Sequence, residues 1–196
     1  MKEVVSRTVY FAEPGPSNTD RTLQLVHERA KALDIHTVLV ATTTGATAAR
    51  AAELLPGLGL VVVTHSAGFL EPHAVEHDCE LIAALQRQGI SVLTTTHAFG
   101  GVGRAVRKKL GTYQVEEIVA YTLRCFSQGV KVAAEITLMA SDAGLVQDAK
   151  PLIAVAGSGR GADTAVVLLP THAQTFFDLQ YLELICMPAP NHPNLK

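Results

Sequence analysis

Residues 37–64 read TVLVATTTGATAARAAELLPGLGLVVVT, and this stretch gives the clearest indication of how the chain folds. It predicts an apolar strand at Thr37–Ala41, a helix from Gly45 to Leu55, and a second apolar strand at Gly59–Thr64. Strands that are apolar without alternation are typical of parallel sheets covered by helices on both faces. A strand, a helix and a strand in this order therefore predict an α/β fold with crossover helices.

The same alternation of β-branched runs and helical stretches continues on both sides of this unit. Before it, the sequence predicts a strand at 8–11 and a helix that Asn18 or Thr19 caps and that ends near residue 33. After it, the predicted elements are helix 73–88, strand 91–95, helices 100–110, 115–126 and 130–143, and strands 152–156, 164–169 and 180–187. The pattern predicts one α/β domain over residues 1–196, with a frayed tail at 190–196.

Composition excludes several classes of protein. Of 196 residues, 48% are hydrophobic and 17% are charged, which excludes a disordered chain. Lys and Arg number 16 against 18 Asp and Glu, so no basic excess favours nucleic acid. No apolar run reaches the roughly 18 residues that a membrane-spanning helix needs, and the start lacks the apolar core of a signal peptide. The three scattered cysteines form no disulfide framework. We therefore expect a cytoplasmic protein that binds neither nucleic acid nor membrane.

The turn ATTTGATAAR at residues 41–50 is the strongest candidate for a binding site. It lies where a buried strand ends and a helix begins, so unpaired backbone N–H groups and the positive end of the helix dipole favour an anion. We predict that a phosphate group is held by its hydroxyls and backbone: Thr42, Thr43, Thr44, Gly45, Ala46 and Thr47. The alternative is that Thr44 only caps the helix while the other threonines finish the strand.

Two glycine-rich loops, THAFGGVGR at 96–104 and GSGRGAD at 157–163, also follow predicted strands. The second spells G-x-G-x-x-A, but a strand follows it and not the helix that a dinucleotide fingerprint needs. Because ligands of such sheets bind outside the carboxyl ends of the strands, we expect these loops to share one crevice with the threonine turn. Its further predicted binding residues are Asn18, Thr19, His65, His97, Phe99, Gly100, Gly101, Gly157, Ser158, Gly159, Arg160 and Gly161.

Other constellations give competing interpretations. His73, Glu76 and His77 match H-x-x-E-H, a spacing that binds zinc when both histidines share a helix face. The preferred alternative is that these residues form a solvated first turn of the helix. We therefore predict no metal. Glu135 lies in an apolar helix and needs a partner, for which Lys131 is preferred. His65 and His97 are candidates for proton transfer, with a satisfied polar role as the alternative.

Residues 18–64 resemble the carboxy-terminal α/β domain of pyruvate kinases, and AGSGRGADT resembles its late glycine-rich effector loop. With FFDLQYLELICMP near the end, the chain resembles a family of small stand-alone archaeal and bacterial proteins, members of which bind FMN. The resemblance implies a three-layer α/β/α fold with a mostly parallel mixed sheet whose final strand is antiparallel. It also implies FMN as cofactor, with Phe99 or Phe69 covering the isoalloxazine.

No catalytic barrel precedes this domain in the sequence, so we expect no pyruvate kinase activity. The leading hypothesis is a small-molecule-binding protein whose partner is a phosphorylated small molecule, FMN first. The alternative is a regulatory or sensory module that binds a sugar phosphate or nucleotide. The catalytic residues, flavin-dependent activity and a homo-oligomeric state are left open.

Overall fold

The computed structural model describes residues 2–146 and 150–195, where seven strands form one sheet. The strands are β1 (Val9–Phe11), β2 (Thr37–Ala41), β3 (Gly59–Thr64), β4 (Ser91–Thr94), β5 (Leu152–Ala156), β6 (Thr164–Leu169) and β7 (Gln180–Pro188). The helices are α1 (Thr19–Leu33), α2 (Ala46–Leu54), α3 (Cys79–Arg87), α4 (Val102–Leu110), α5 (Val115–Arg124) and α6 (Gln128–Asp142). Within these residues no helix is long and apolar enough to cross a membrane.

The strand order is β1-β7-β6-β5-β2-β3-β4, and every strand but β6 runs in the same direction. The predicted mostly parallel mixed sheet is therefore confirmed. The expectation that the final strand is the reversed one is wrong, because β7 pairs parallel with β1 and antiparallel with β6. The loop between β5 and β6 is too short for a crossover, so those two strands form a hairpin and β6 is reversed.

Helices cover both faces of the sheet, which confirms the predicted three-layer fold. On one face, Val38 and Val40 of β2 pack with Leu23 and Val26 of α1. On the other, Leu39 of the same strand packs with residues of α6. Because successive side chains of a strand point to opposite faces, a central strand between two helical layers must be apolar at every position.

The helix predicted at 73–88 begins later than expected. Asp78 is its N-cap, and one oxygen of the Asp78 carboxylate accepts hydrogen bonds from the N–H groups of Glu80 and Leu81 at 2.9 and 3.1 Å. Residues 73–77 lie before the helix, and His73 has φ +63°. The helix face that His73 and His77 were predicted to share is therefore not formed.

The chain ends close to its first strand. The N–H of Ala189 donates to the Phe11 carbonyl at 2.9 Å, and the rings of Tyr10 and His192 stack with centroids 4.9 Å apart. These contacts differ from the frayed tail expected at 190–196, of which residue 196 lies outside the described residues. Residues 1 and 147–149 of the predicted single domain lie outside them too.

Candidate functional site

A cavity of about 640 Å³ opens at the carboxyl ends of β2, β3 and β5, between the loops that follow them and one face of α6. Its size is within the range of roughly 300–1,000 Å³ that is typical of small-molecule sites. The predicted residues that line it are Thr19, Thr42, Thr43, Thr44, Ala46, Thr47, His65, His97, Gly157, Gly159, Arg160 and Gly161. The predicted residues that do not line it are Asn18, Gly45, Phe99, Gly100, Gly101 and Ser158.

The threonine turn joins β2 to α2 and forms one wall of this cavity. The N-cap of α2 is Gly45, which has φ +99°, and its N–H donates to the Thr42 Oγ1 at 3.0 Å. Thr44 makes no side-chain cap, so the interpretation of Thr44 as the capping residue is wrong. Gly45 itself does not line the cavity. It turns the backbone between β2 and α2 at a positive φ, which glycine adopts without steric cost.

The first turn of α2 has backbone donors without partners inside the helix. The first intrahelical bond runs from the Ala49 N–H to the Gly45 carbonyl at 2.9 Å. The N–H groups of residues 46–48 precede it, and the helix dipole adds positive potential at the same place. Thr42 and Thr47 are only 6% and 7% exposed, so the surrounding protein holds them in place.

The glycine loop after β5 is held against the start of α1. The Thr19 Oγ1 accepts a hydrogen bond from the Ala162 N–H at 3.0 Å. A Cβ atom on Gly161 would lie 2.6 Å from that Thr19 oxygen and closer still to Pro16, so only glycine fits. Arg160 is exposed at the cavity edge and forms no ion pair or hydrogen bond with any residue that the structure describes.

Asn18 has a different role from the predicted one. Its side-chain amide donates to the Glu13 carbonyl at 2.7 Å, so it stabilises the turn before α1. Ser158 takes part through its backbone, because its N–H donates to the Asp163 carboxylate at 3.1 Å. Both residues shape the loops around the cavity without lining it.

Two histidines and Phe69 form an aromatic cluster at the cavity wall. The His65 Nδ1 lies 2.6 Å from the Glu76 Oε2. The rings of Phe69 and His97 stack with centroids 4.9 Å apart, and the Arg104 guanidinium lies 4.6 Å from the Phe69 centroid. The cluster therefore combines a flat apolar surface, a cation and two imidazoles.

Burial lowers the pKa of His97 to about 4, with smaller effects from neighbouring charges. The His97 Nε2 accepts a hydrogen bond from the Ser66 N–H at 3.3 Å. Its Nδ1 lies 3.9 Å from the Glu135 Oε2. His97 is therefore a neutral imidazole at pH 7.

Phe99, which was predicted to face the ligand, lies away from the cavity. Its ring is buried among Ala120, Leu138 and Phe176, and its backbone N–H donates to the Glu135 Oε1 at 3.1 Å. Gly101 is needed for packing, because a Cβ on it would lie 2.9 Å from the Thr96 side chain. A Cβ on Gly100 would lie 2.9 Å from the end of the flexible Arg104 side chain. Phe69 is the phenylalanine that lines the cavity.

The predicted pair of Lys131 and Glu135 is confirmed, and both side chains are buried at the cavity wall. Desolvation lowers the pKa of Lys131. The sequence pattern did not predict that this face of α6 lines the site. The available signal was two charged residues four positions apart in an otherwise apolar helix. The further lining residues that the sequence did not predict as binding residues include Pro16, Asp20, Arg50, Arg104, Arg124, Gln128, Val132, Ile136 and Met139.

Arg50 lies on α2 beyond the threonine turn, and its side chain pairs away from that turn. Its guanidinium makes two hydrogen bonds of 2.8 Å to the Asp20 carboxylate and one of 2.5 Å to Glu53. Arg50 also lines the outer part of the cavity. In the part of the chain that the structure describes, no three His, Cys, Asp or Glu side chains lie where they could share a metal ion.

The chain matches the family model described as "Pyruvate kinase, alpha/beta domain" over residues 20–168. A pyruvate kinase from Cryptosporidium parvum is 14% identical in sequence, with 81% of this chain and 24% of that chain covered and a TM-score of 0.41. A structure of the Cryptosporidium parvum pyruvate kinase in complex with ADP is 15% identical, covers 79% of this chain and 24% of that one, and has a TM-score of 0.39. The chain thus spans about a quarter of the length of these enzymes.

Proposed function

The chain belongs to the pyruvate kinase alpha/beta domain family, and from that premise we propose that it binds a phosphate-bearing small molecule, with FMN as the first candidate. The observation that carries the proposal is the threonine turn at residues 42–47, which lines a cavity of about 640 Å³ at the carboxyl ends of the strands. The place agrees with the general rule for ligands of open α/β sheets.

The chemistry of the turn suits a phosphate group. Thr43, Thr44 and Thr47 line the cavity with hydroxyl donors, and the backbone N–H groups of residues 46–48 have no partner within the helix. A phosphate monoester carries about two negative charges at pH 7, which the positive end of α2 favours. Arg160 lies on the opposite loop and can pair with the same anion.

The remainder of the cavity suits a flat ring system. Phe69 and the apolar side chains of Val132, Ile136 and Met139 line it, and Arg104 adds a cation beside Phe69. Offset stacking of aromatic rings contributes about 0.5–1.5 kcal/mol beyond the buried area. An isoalloxazine placed against Phe69, with its ribityl phosphate on the turn, would use both parts of the cavity. When bound, FMN would supply redox chemistry that the side chains lack.

Titration calorimetry with FMN and riboflavin tests the proposal. Thr47→Val removes one hydroxyl at nearly constant volume. We therefore expect it to weaken the binding of FMN by about 1–2 kcal/mol and the binding of riboflavin much less. Thr112→Val is the matched control, since Thr112 is exposed and does not line the cavity. Equal weakening of both ligands, or of neither, would contradict a phosphate on this turn.

A sugar phosphate or nucleotide bound for regulation is the second candidate. The cations Arg104, Arg124 and Arg160 favour it, because they line the cavity and none forms an ion pair with a carboxylate of the described residues. Thermal stabilisation by ribose 5-phosphate or a nucleoside monophosphate, with none by FMN, would select this candidate.

A further inference from the structure

The His65–Glu76 pair is unlike the other ionisable groups of the cavity. The two side chains are 32% and 20% exposed, and their nearest atoms are 2.6 Å apart. In the neutral imidazole tautomer that forms a hydrogen bond to the Glu76 carboxylate, the His65 Nδ1 carries the hydrogen and donates this bond. The Nε2 then has a free lone pair, and it has no hydrogen-bond partner among residues 2–146 and 150–195.

His97 does not meet the same requirements. Its Nε2 lone pair already accepts a hydrogen bond from the Ser66 N–H. A base also works best when its pKa is near the operating pH, and burial holds that of His97 at about 4. Of the two histidines in the cavity, His65 is therefore the one arranged to take a proton.

The position of His65 relates it to the threonine turn. It follows the last residue of β3, while the turn follows the last residue of the neighbouring strand β2. The Thr42 N–H donates to the Val63 carbonyl at 3.0 Å, so the two segments stay side by side beyond the paired strands. A short molecule with its phosphate on the turn can place a reacting atom beside His65.

We propose that His65 and Glu76 form a general-base dyad that removes the proton from the carbon next to the carbonyl group of a phosphorylated hydroxyaldehyde or hydroxyketone. His65 would be the catalytic base and Glu76 the positioning residue that fixes its tautomer. The inference rests on one part of the proposed function, the phosphate on the threonine turn, and not on FMN as the ligand.

The step needs no second reactant. The C–H bond breaks, the proton forms an N–H bond with the His65 Nε2, and the electron pair forms the C=C bond of an enediolate. The negative charge moves to the carbonyl oxygen, and Lys131 and Arg104 are among the cations of the same cavity that can stabilise it. Return of the proton to the same carbon gives exchange with solvent. Return to the neighbouring carbon, together with transfer of the hydroxyl proton from its oxygen to the former carbonyl oxygen, gives the isomer.

The test is exchange of the substrate hydrogen with solvent deuterium, followed by proton NMR. The probes are dihydroxyacetone phosphate, ribose 5-phosphate and glucose 6-phosphate, with ribose and glucose as controls that lack phosphate. With at least one probe we expect exchange above the protein-free blank. His65→Gln should slow it about 100-fold or more, in the range typical of a lost general base.

Glu76→Gln is the second variant. We expect it to lower the maximal exchange rate about tenfold with an unchanged half-saturating concentration, because Glu76 acts through His65. His73→Asn is the control, since His73 is exposed, does not line the cavity, and has φ +63°, which asparagine tolerates. Circular dichroism verifies that each variant is folded. An NMR spectrum of the imidazole nitrogens should show the proton of His65 on Nδ1.

Three results would overturn the inference alone, and a fourth would overturn it together with the proposed function. In the first, the protein binds FMN or the probes in calorimetry but exchanges hydrogen with none of the probes. This result leaves the proposed function intact. Another is an equal exchange rate in folded His65→Gln and the parent protein. The third is a His65 proton on Nε2. Absence of binding by FMN and by all three probes overturns the proposed function and the dyad together.

Discussion

The carboxylate of Asp163 accepts a hydrogen bond from the backbone N–H of Gly15 at 2.9 Å, although 148 positions of the chain separate the two residues. The same oxygen accepts from the Ser158 N–H at 3.1 Å, and the other accepts from the Thr164 hydroxyl at 2.8 Å. Because Asp163 is fully buried, water cannot replace these bonds. One side chain thus joins the loop before α1 to the glycine loop after β5, which form neighbouring walls of the cavity.

Replacing Asp163 by asparagine should therefore destabilise the protein. The amide has one acceptor oxygen where three donors converge, so we expect the free energy of unfolding to fall by about 2–3 kcal/mol. Urea denaturation measures it. Asp34→Asn is the matched control, because Asp34 is exposed and has φ +56°, which asparagine tolerates; its effect should stay within about 0.5 kcal/mol. Similar effects of both substitutions would contradict the role of Asp163.

Gly161→Ala and Gly159→Ala separate steric contact from backbone strain. Both glycines have positive φ, +71° and +111°, but a Cβ on Gly161 would lie 2.6 Å from the Thr19 oxygen, whereas nothing lies within 4 Å of one on Gly159. In urea denaturation, we expect Gly161→Ala to lower the free energy of unfolding by about 1–3 kcal/mol more than Gly159→Ala does. Equal costs would show that α1 and the glycine loop are not in contact in solution.

The buried pair of Lys131 and Glu135 should show strong coupling. Lys131→Met leaves the Glu135 carboxylate buried without its cation, so we expect a loss of about 3–5 kcal/mol in the free energy of unfolding. Adding Glu135→Gln should recover a large part of this loss, since the amide oxygen still accepts from the Phe99 N–H. A double-mutant cycle measures the coupling, and simple additivity of the two losses would contradict it.

His97 should make stability depend on pH. Its pKa is about 4 in the folded protein and 6.5 in an unperturbed imidazole. Between these values the unfolded chain binds more protons, so the free energy of unfolding decreases as the pH falls from 6.5 to 4. At about 1.36 kcal/mol per pKa unit, His97 contributes about 3 kcal/mol of this decrease.

We therefore expect the loss of stability between pH 7 and pH 4 to be smaller in His97→Gln by about that amount. His27→Gln changes an exposed histidine and serves as the control. If the two variants show the same pH dependence, the buried imidazole takes up protons as readily in the folded as in the unfolded protein.

Arg160→Ala should affect binding and leave stability almost unchanged. Arg160 is exposed and makes no ion pair or hydrogen bond within the described residues, so its removal should alter the free energy of unfolding by less than about 0.5 kcal/mol. Loss of a charged hydrogen bond to a ligand phosphate should weaken the binding of FMN, measured by calorimetry, by about 1–3 kcal/mol. Arg87→Ala, at an exposed helix end away from the cavity, should leave affinity unchanged. Unchanged affinity in Arg160→Ala would place the arginine outside the site.

The central strands were predictable because burial on both faces demands apolar residues at every position. Thr37–Ala41 and Gly59–Thr64 have the predicted bounds. The start of α3 was missed because Asp78, whose short carboxylate caps the helix, was given less weight than the pattern beginning at His73. The reversed direction of β6 could also have been predicted from the sequence, because the loop before it is too short for a crossover connection.

Which side chains meet in the cavity was less predictable. Helical periodicity shows that Lys131 and Glu135 share a face of α6, but it does not show what that face contacts. Phe69 and Phe99 both follow strands, and only the packing of α5 and α6 determines that Phe99 is buried and Phe69 lines the site. The His65–Glu76 contact depends on how the loop at 66–78 folds back, which no periodic pattern encodes.

The pairing of β1 with β7 has a consequence for the order of events during synthesis. Val9 lies opposite Cys186, so β1 is synthesised long before its partner strand β7. Contacts between such distant residues form slowly, and an unpaired strand is prone to join a strand of another molecule. The chain therefore passes through a period in which its central sheet can assemble while β1 is still unprotected. Conditions that lengthen this period, such as slow translation of the segment that contains β7, should increase aggregation.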